Sequence, residues 1–238
     1  MLIFLDLKLK DIPNTVYKAI KSLKDISPDY LTIHASGGLE MMKAAKKAQS
    51  EANKKLKILA VTILTSLTNK DLKLKDIPNT VYKAIKSLKD VSPDYLTIHA
   101  SGGLEMMRAA KKAQSETNKK LKILAVTILT SLTNKDLKQM GSSASVESQV
   151  QKLAQTAKLA KIHGIVCSAH EIKKVRKVSK SFEIVVPGIR ISNKVQDQKR
   201  VMSPKQALKL GATHLVIGRD ITKGNPKANI KKVLNALI

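Results

Sequence analysis

Near its N-terminus the chain reads Asp6-Leu-Lys8-Leu-Lys-Asp11. Side chains two residues apart on a strand share a face. Asp6 and Lys8 are therefore expected side by side, with Asp11 just past the strand's C-terminal end. An ammonium flanked by carboxylates stays charged and oriented. It stabilises negative charge that develops beside it, and it can donate a proton. Buried charges need such mutual partners. On spacing alone, an edge strand with a solvated charged face explains the pattern equally well. The same hexapeptide returns as Asp71-Leu-Lys73-Leu-Lys-Asp76. A second chemistry is offered by two arginines. Arg190 follows Pro187-Gly-Ile, and Arg219 follows Gly218, each at the end of a strand-like run. A guanidinium presents a planar fork to phosphate oxygens. For a single strand-end arginine the alternative is a surface ion pair.

Other chemistry-bearing residues read as structural. His34 and His99 sit beside Thr and Ala on apolar runs and are expected in or near the core. Cys167 reads as a packing residue, and Met41-Met42 and Met106-Met107 as helix core. No Cys/His constellation has metal-ligand spacing, so no metal is expected on these residues. A single cysteine cannot close an internal disulfide, which points to a reducing compartment. The N-terminus lacks the pattern of a secretory signal. Apolar runs stay far short of the roughly 18 residues a membrane helix needs. A cytoplasmic protein without membrane attachment is expected.

The elements that position these residues can be read from the pattern. The 238 residues, 43% apolar, suffice for one large domain with a core of its own. The formal charge of +26 suggests nucleic acid at first sight. The lysines are spread, however, and recur as solvated helix faces such as Lys18, Lys21, Lys24 and Lys43, Lys46, Lys47. With no Trp, two Phe and four Tyr, stacking platforms are scarce. Nucleic-acid binding is therefore the less expected reading. Residues 7–71 and 72–136 align without a gap and differ only at Ile26/Val91, Lys43/Arg108 and Ala52/Thr117. Such copies read as a tandem duplication rather than a diverged solenoid. The tripeptide Asp-Leu-Lys stands at 6–8, 71–73 and 136–138, at the repeat's ends and junction.

Strands are expected at 2–9, 30–35, 56–65, 95–100, 121–130, 164–168, 182–187 and 213–218. Helices are expected at 14–23, 39–52, 79–88, 104–117, 146–162, from about 170, at 204–210 and at 226–237. Residues 71–75 make a weaker ninth strand, because turn-like sequence precedes them. Alternating β and α with apolar strands implies a parallel sheet. Eight such units predict a (β/α)8 barrel, rearranged and open to incomplete closure, whose active site lies at the C-terminal ends of the strands.

At these residues the chain resembles the orotidine 5'-phosphate decarboxylase family. The resemblance rests on Asp6-Leu-Lys8-Leu-Lys-Asp11-Ile-Pro-Asn-Thr15, Thr32-Ile-His34-Ala-Ser-Gly-Gly38 and Leu59-Ala-Val-Thr-Ile-Leu-Thr65-Ser. It continues with Pro187-Gly-Ile-Arg190, Asp197-Gln198-Lys-Arg200 and Gly211-Ala-Thr-His-Leu-Val-Ile-Gly218-Arg219. It implies conversion of orotidine monophosphate to UMP and CO2 in pyrimidine biosynthesis, without metal or cofactor. By resemblance, Lys8 or Lys73 protonates the carbon left by the carboxyl group, and Asp6 or Asp71 lies beside that group. Asp11 or Asp76 and Thr15 or Thr80 reach into a neighbouring subunit's site, which implies a homodimer. Thr65 or Thr130 bonds the pyrimidine. Arg190, Gln198, Gly218 and Arg219 hold the phosphate, in the unduplicated half 137–238.

The family pattern begins with two further βα units, carrying a ribose-binding aspartate and a lysine of the charged network. This chain starts directly in the third strand. If residues 71–238 keep their family places, strands 30–35 and 56–65 fill the first two, with His34 and Thr62 where Asp and Lys belong. Turnover is then expected to be far below an intact member's or absent, while phosphate binding survives. The alternatives are a sister keto-sugar-phosphate decarboxylase of the same superfamily, a basic nucleic-acid-binding protein, and an inactive product of a rearranged gene.

Overall fold

In the computed structural model, eight parallel strands follow one another around a single curled sheet in chain order. The structure describes residues 4–9, 11–25, 27–34, 38–61, 77–91, 93–190, 202–222 and 224–237, with the backbone alone for 4–8, 61, 219, 222, 226 and 227. The strands are β1 (Phe4–Leu9), β2 (Tyr30–His34), β3 (Lys57–Val61), β4 (Tyr95–His99), β5 (Lys122–Val126), β6 (Gly164–Val166), β7 (Glu183–Val186) and β8 (His214–Leu215). The helices, renumbered in order, are α1 (Pro13–Ser22), α2 (Leu39–Ala52), α3 (Pro78–Lys86), α4 (Gly103–Thr117) and α5 (Asn134–Gln139). They continue as α6 (Val146–Leu159), α7 (Ile172–Val178), α8 (Pro204–Lys209), α9 (Arg219–Thr222) and α10 (Pro226–Asn235).

Period-two alternation along the strands builds two separate cores. Outward residues such as Leu31, Ile58, Leu96, Ile123 and Ile184 pack beneath the helices. Inward residues Tyr30, Leu59, Tyr95, Leu124, Val185 and Val216 fill the barrel. This is the layered interior expected of a (β/α)8 barrel. The strand-leading layer is polar as well as aromatic. Tyr30, Tyr95 and His214 meet edge to face, and the His214 Nε2 lies 3.1 Å from the Tyr30 hydroxyl. Lys122 pairs with Glu183, and Lys57 and Lys122 lie over the rings of Tyr30 and Tyr95. Gly164 opens β6 here because a Cβ would fall within 3 Å of Glu183 and Leu124. No ladder joins β8 to β1 among the described residues, and in the interior His214 of β8 meets Tyr30 of β2 and Tyr95 of β4.

The two copies fold alike. α1 and α3 each begin at a proline, where the missing N–H costs nothing. α2 and α4 each start at a glycine with positive φ, +86° at Gly38 and +83° at Gly103. Tyr17 and Lys21 bond Glu51, just as Tyr82 and Lys86 bond Glu116. Met41-Met42 and Met106-Met107 are buried, as is Cys167.

One expectation is overturned by the strand order. β3 pairs directly with β4, Leu59 to Val61 against Tyr95 to Thr97. The first copy's strands therefore fill the first three places of the sheet, not the first two behind a strand at 71–75. That segment lies outside the described residues, as does Thr62. Local differences are smaller. β5 ends at Val126 rather than at 130, and β8 is shorter than 213–218. Helix α5 goes beyond the elements expected from sequence. Its Thr133 hydroxyl accepts from the Asp136 N–H, while the Asp136 carboxylate accepts from the Thr133 N–H at 2.7 Å. This capping box turns the third Asp-Leu-Lys into helix.

Candidate active site

Because every strand runs the same way, all their C-terminal ends open onto one face. β1 carries Asp6 and Lys8 in the stretch where its register against β2 shifts between Leu5 and Leu9. Asp11 follows, exposed, and its Oδ1 accepts from the Ile12 N–H at 2.7 Å. Thr15 is exposed in the first turn of α1, and Thr80 is exposed in the first turn of α3. After β5 the Thr127 hydroxyl donates to the Val166 carbonyl at 2.9 Å, which fixes the start of the turn that carries half-buried Thr130. His34 and His99 end β2 and β4. Burial holds the His99 imidazole below its ordinary pKa, as a near-core histidine should be.

The ends of β7 and β8 converge. Arg190 N–H donates to Met202 O at 3.1 Å, and Met202 N–H to Gly188 O at 3.3 Å, so the chain leaving β7 is clasped to the segment before α8. The Arg190 guanidinium lies 3.7 Å from the Asp220 carboxylate and donates to the Ile189 carbonyl at 3.0 Å. Both side chains are largely buried, 11% and 17% exposed. Asp220 was missed by sequence reasoning. The signal available was its place directly after Arg219. Arg190 and the Gly218-Arg219 junction are thereby brought together at one corner. Among the described residues no atom lies within 4 Å of where a Cβ on Gly218 would stand, so their packing does not require glycine there. Thr65, Asp71, Lys73, Asp76 and Gln198 lie outside the described residues. Among the described residues no group of three His, Cys, Asp or Glu is placed to hold a metal, and no helix is long and apolar enough to cross a membrane.

Fold and site together define a barrel protein with a lysine–carboxylate strand and an arginine corner at the C-terminal face. The model of the family described as orotidine 5'-phosphate decarboxylase / HUMPS matches residues 1–72 and again 69–233, and the chain belongs to this family. It is 44% identical over 238 residues to the orotidine 5'-phosphate decarboxylase of Idiomarina loihiensis, covering 99% of this chain and 75% of that one. The enzyme of the same name from Wigglesworthia glossinidia brevipalpis is 46% identical over 170 residues, covering 70% of this chain and 73% of that one. Among solved structures, orotidine 5'-phosphate decarboxylase from Lactobacillus acidophilus superposes with a TM-score of 0.75. It is 26% identical, with 99% of this chain and 98% of that one covered. The two family matches overlap at 69–72, at the junction of the copies.

Proposed function

We propose that the chain is a carboxy-lyase that takes orotidine monophosphate to UMP and CO2, with Lys8 as proton donor and the Arg190–Arg219 corner as phosphate site. The bond from the ring to the carboxyl carbon breaks, CO2 leaves, and the electron pair stays on the ring carbon. The Lys8 ammonium gives that carbon a proton and recovers one from solvent. Asp6, with the Asp11 carboxylate that a second subunit would contribute, keeps the ammonium charged, which stabilises the developing carbanion. What supports the reading is a parallel sheet whose first strand carries Asp-x-Lys and whose strands β7 and β8 are followed by Arg190 and Arg219, with all C-terminal ends on one rim. Gly218 supports it, because a ligand that approaches the backbone would account for a glycine that packing does not demand. Asp11 and Thr15, exposed beside the strand end, fit a homodimer in which they face a second subunit, and Thr130 fits a contact to the pyrimidine.

Release of CO2 from labelled orotidine monophosphate tests the reaction. Lys8→Ala should lower the rate by about 10²- to 10⁴-fold, the usual worth of a positioned acid, while Lys73→Ala leaves it near the parent value. The opposite ranking would move the site to the second copy. Calorimetry with UMP tests the phosphate corner separately. Arg190→Ala should weaken binding by about 10- to 100-fold, in keeping with loss of a charge-assisted hydrogen bond. Binding that ignores the arginine would overturn the assignment.

A further inference from the structure

Lys111 lies on α4, at the opposite end of the barrel from the proposed site, with its Nζ 2.8 Å from the His163 Nε2. The other ring nitrogen of His163, Nδ1, accepts a hydrogen bond from the Ile123 backbone N–H at 2.9 Å. A backbone N–H can only donate, so Nδ1 must present a lone pair. A neutral imidazole then carries its single proton on Nε2, which can only donate. The group facing it must accept, and an ammonium cannot. The hydrogen-bond chain Ile123 N–H to His163 to Lys111 is satisfied only if Lys111 is a free amine.

The duplication supplies a control within the same molecule. Lys46 stands on α2 where Lys111 stands on α4, in the same sequence, Ala-Ala-Lys-Lys-Ala-Gln. The place of His163 is taken there by Asp94, whose Oδ2 accepts the matching backbone bond from Ile58 N–H at 3.2 Å. A carboxylate makes no demand for a free amine. Burial also favours the uncharged form of Lys111, and burial is the largest cause that holds His163 below the usual histidine range. The other charges facing His163 are Lys122 and Glu183, which pair with each other.

We propose that Lys111 is a nucleophilic lysine and a carbamylation site for CO2. The amine lone pair attacks the carbon of CO2 and an N–C bond forms. One C=O π pair moves onto oxygen, and the nitrogen releases one proton to solvent. The product is a carbamate anion, whose oxygens can accept from the His163 Nε2–H. Dissolved CO2 suffices, so the proposal stands apart from the reaction proposed above.

The test uses the full native chain. Trace acetic anhydride at pH 7, followed by cleavage after glutamate, gives peptides 41–51 and 106–116, which differ in mass through Lys43 and Arg108. Lys111 should be acetylated at least about tenfold faster than Lys46, since each unit by which a pKa falls raises the free-amine fraction about tenfold. His163→Asp, which copies the first repeat, should bring Lys111 to the rate of Lys46. In protein equilibrated with ¹³C-bicarbonate and trapped with triethyloxonium, the labelled ethyl carbamate should appear on Lys111 and not on Lys46. Equal acetylation of the two lysines in the native chain overturns the free amine. Faster acetylation without a trapped carbamate overturns the carbamylation site.

Discussion

Thr117 and Ala52 occupy the same place at the ends of two nearly identical helices. The Thr117 hydroxyl is buried without a hydrogen-bond partner, whereas Ala52 has nothing to satisfy. Thr117→Ala should therefore stabilise the chain by about 1 kcal/mol, seen as a higher urea midpoint with an unchanged slope. The other exchanges between the copies are quieter. Lys43 and Arg108 make the same pairing with Glu40 and Glu105 three residues earlier. At this scale much of the chemistry was legible in the sequence, because residue type decides it: a lysine between aspartates, an arginine after a strand. Partners from elsewhere in the chain were not. Asp220 reaches Arg190 only because β7 and β8 are neighbours, and His163 reaches Lys111 only because α4 packs near the loop before β6.

The elements follow local rules closely enough that most were expected near their observed bounds. The exceptions are α5 and the short α9. Asp-Leu-Lys is strand at 6–8 and helix at 136–138, and the difference lies in what precedes it. Phe4 and Leu5 favour strand, whereas Thr133 supplies a cap. Thr133→Ala should cost about 1 kcal/mol, measured by chemical denaturation, and should loosen the turn bearing Thr130, which hydrogen exchange would report. Which strand takes which place was not legible. Two copies of one sequence have equal claim to each position, and neither periodicity nor capping separates them. The order was settled by the pairing of β3 with β4.

For the whole molecule, buried histidines set the response to acid. Burial lowers the pKa values of His99, His163 and His214 in the folded state. The unfolded chain binds their protons more readily, so unfolding takes up protons once pH falls below the ordinary value of 6.5. Stability is full above that value and declines as pH drops through it, by up to about 1.4 kcal/mol per pH unit for each histidine. Urea midpoints at pH 7.5 and 5.5 should show the loss, and His214→Gln should reduce it. The direct pairing of β3 with β4 reaches further. The backbone ladders join each strand only to its neighbours in the sheet, so the ladders by themselves give a strand no address. A βα unit with an apolar outer stripe can therefore stand beside either copy's strands, as β3 of the first copy stands beside β4 of the second. A sequence repeated in tandem is thus taken into one sheet without a seam, and its side chains come to the rim wherever its strands happen to stand.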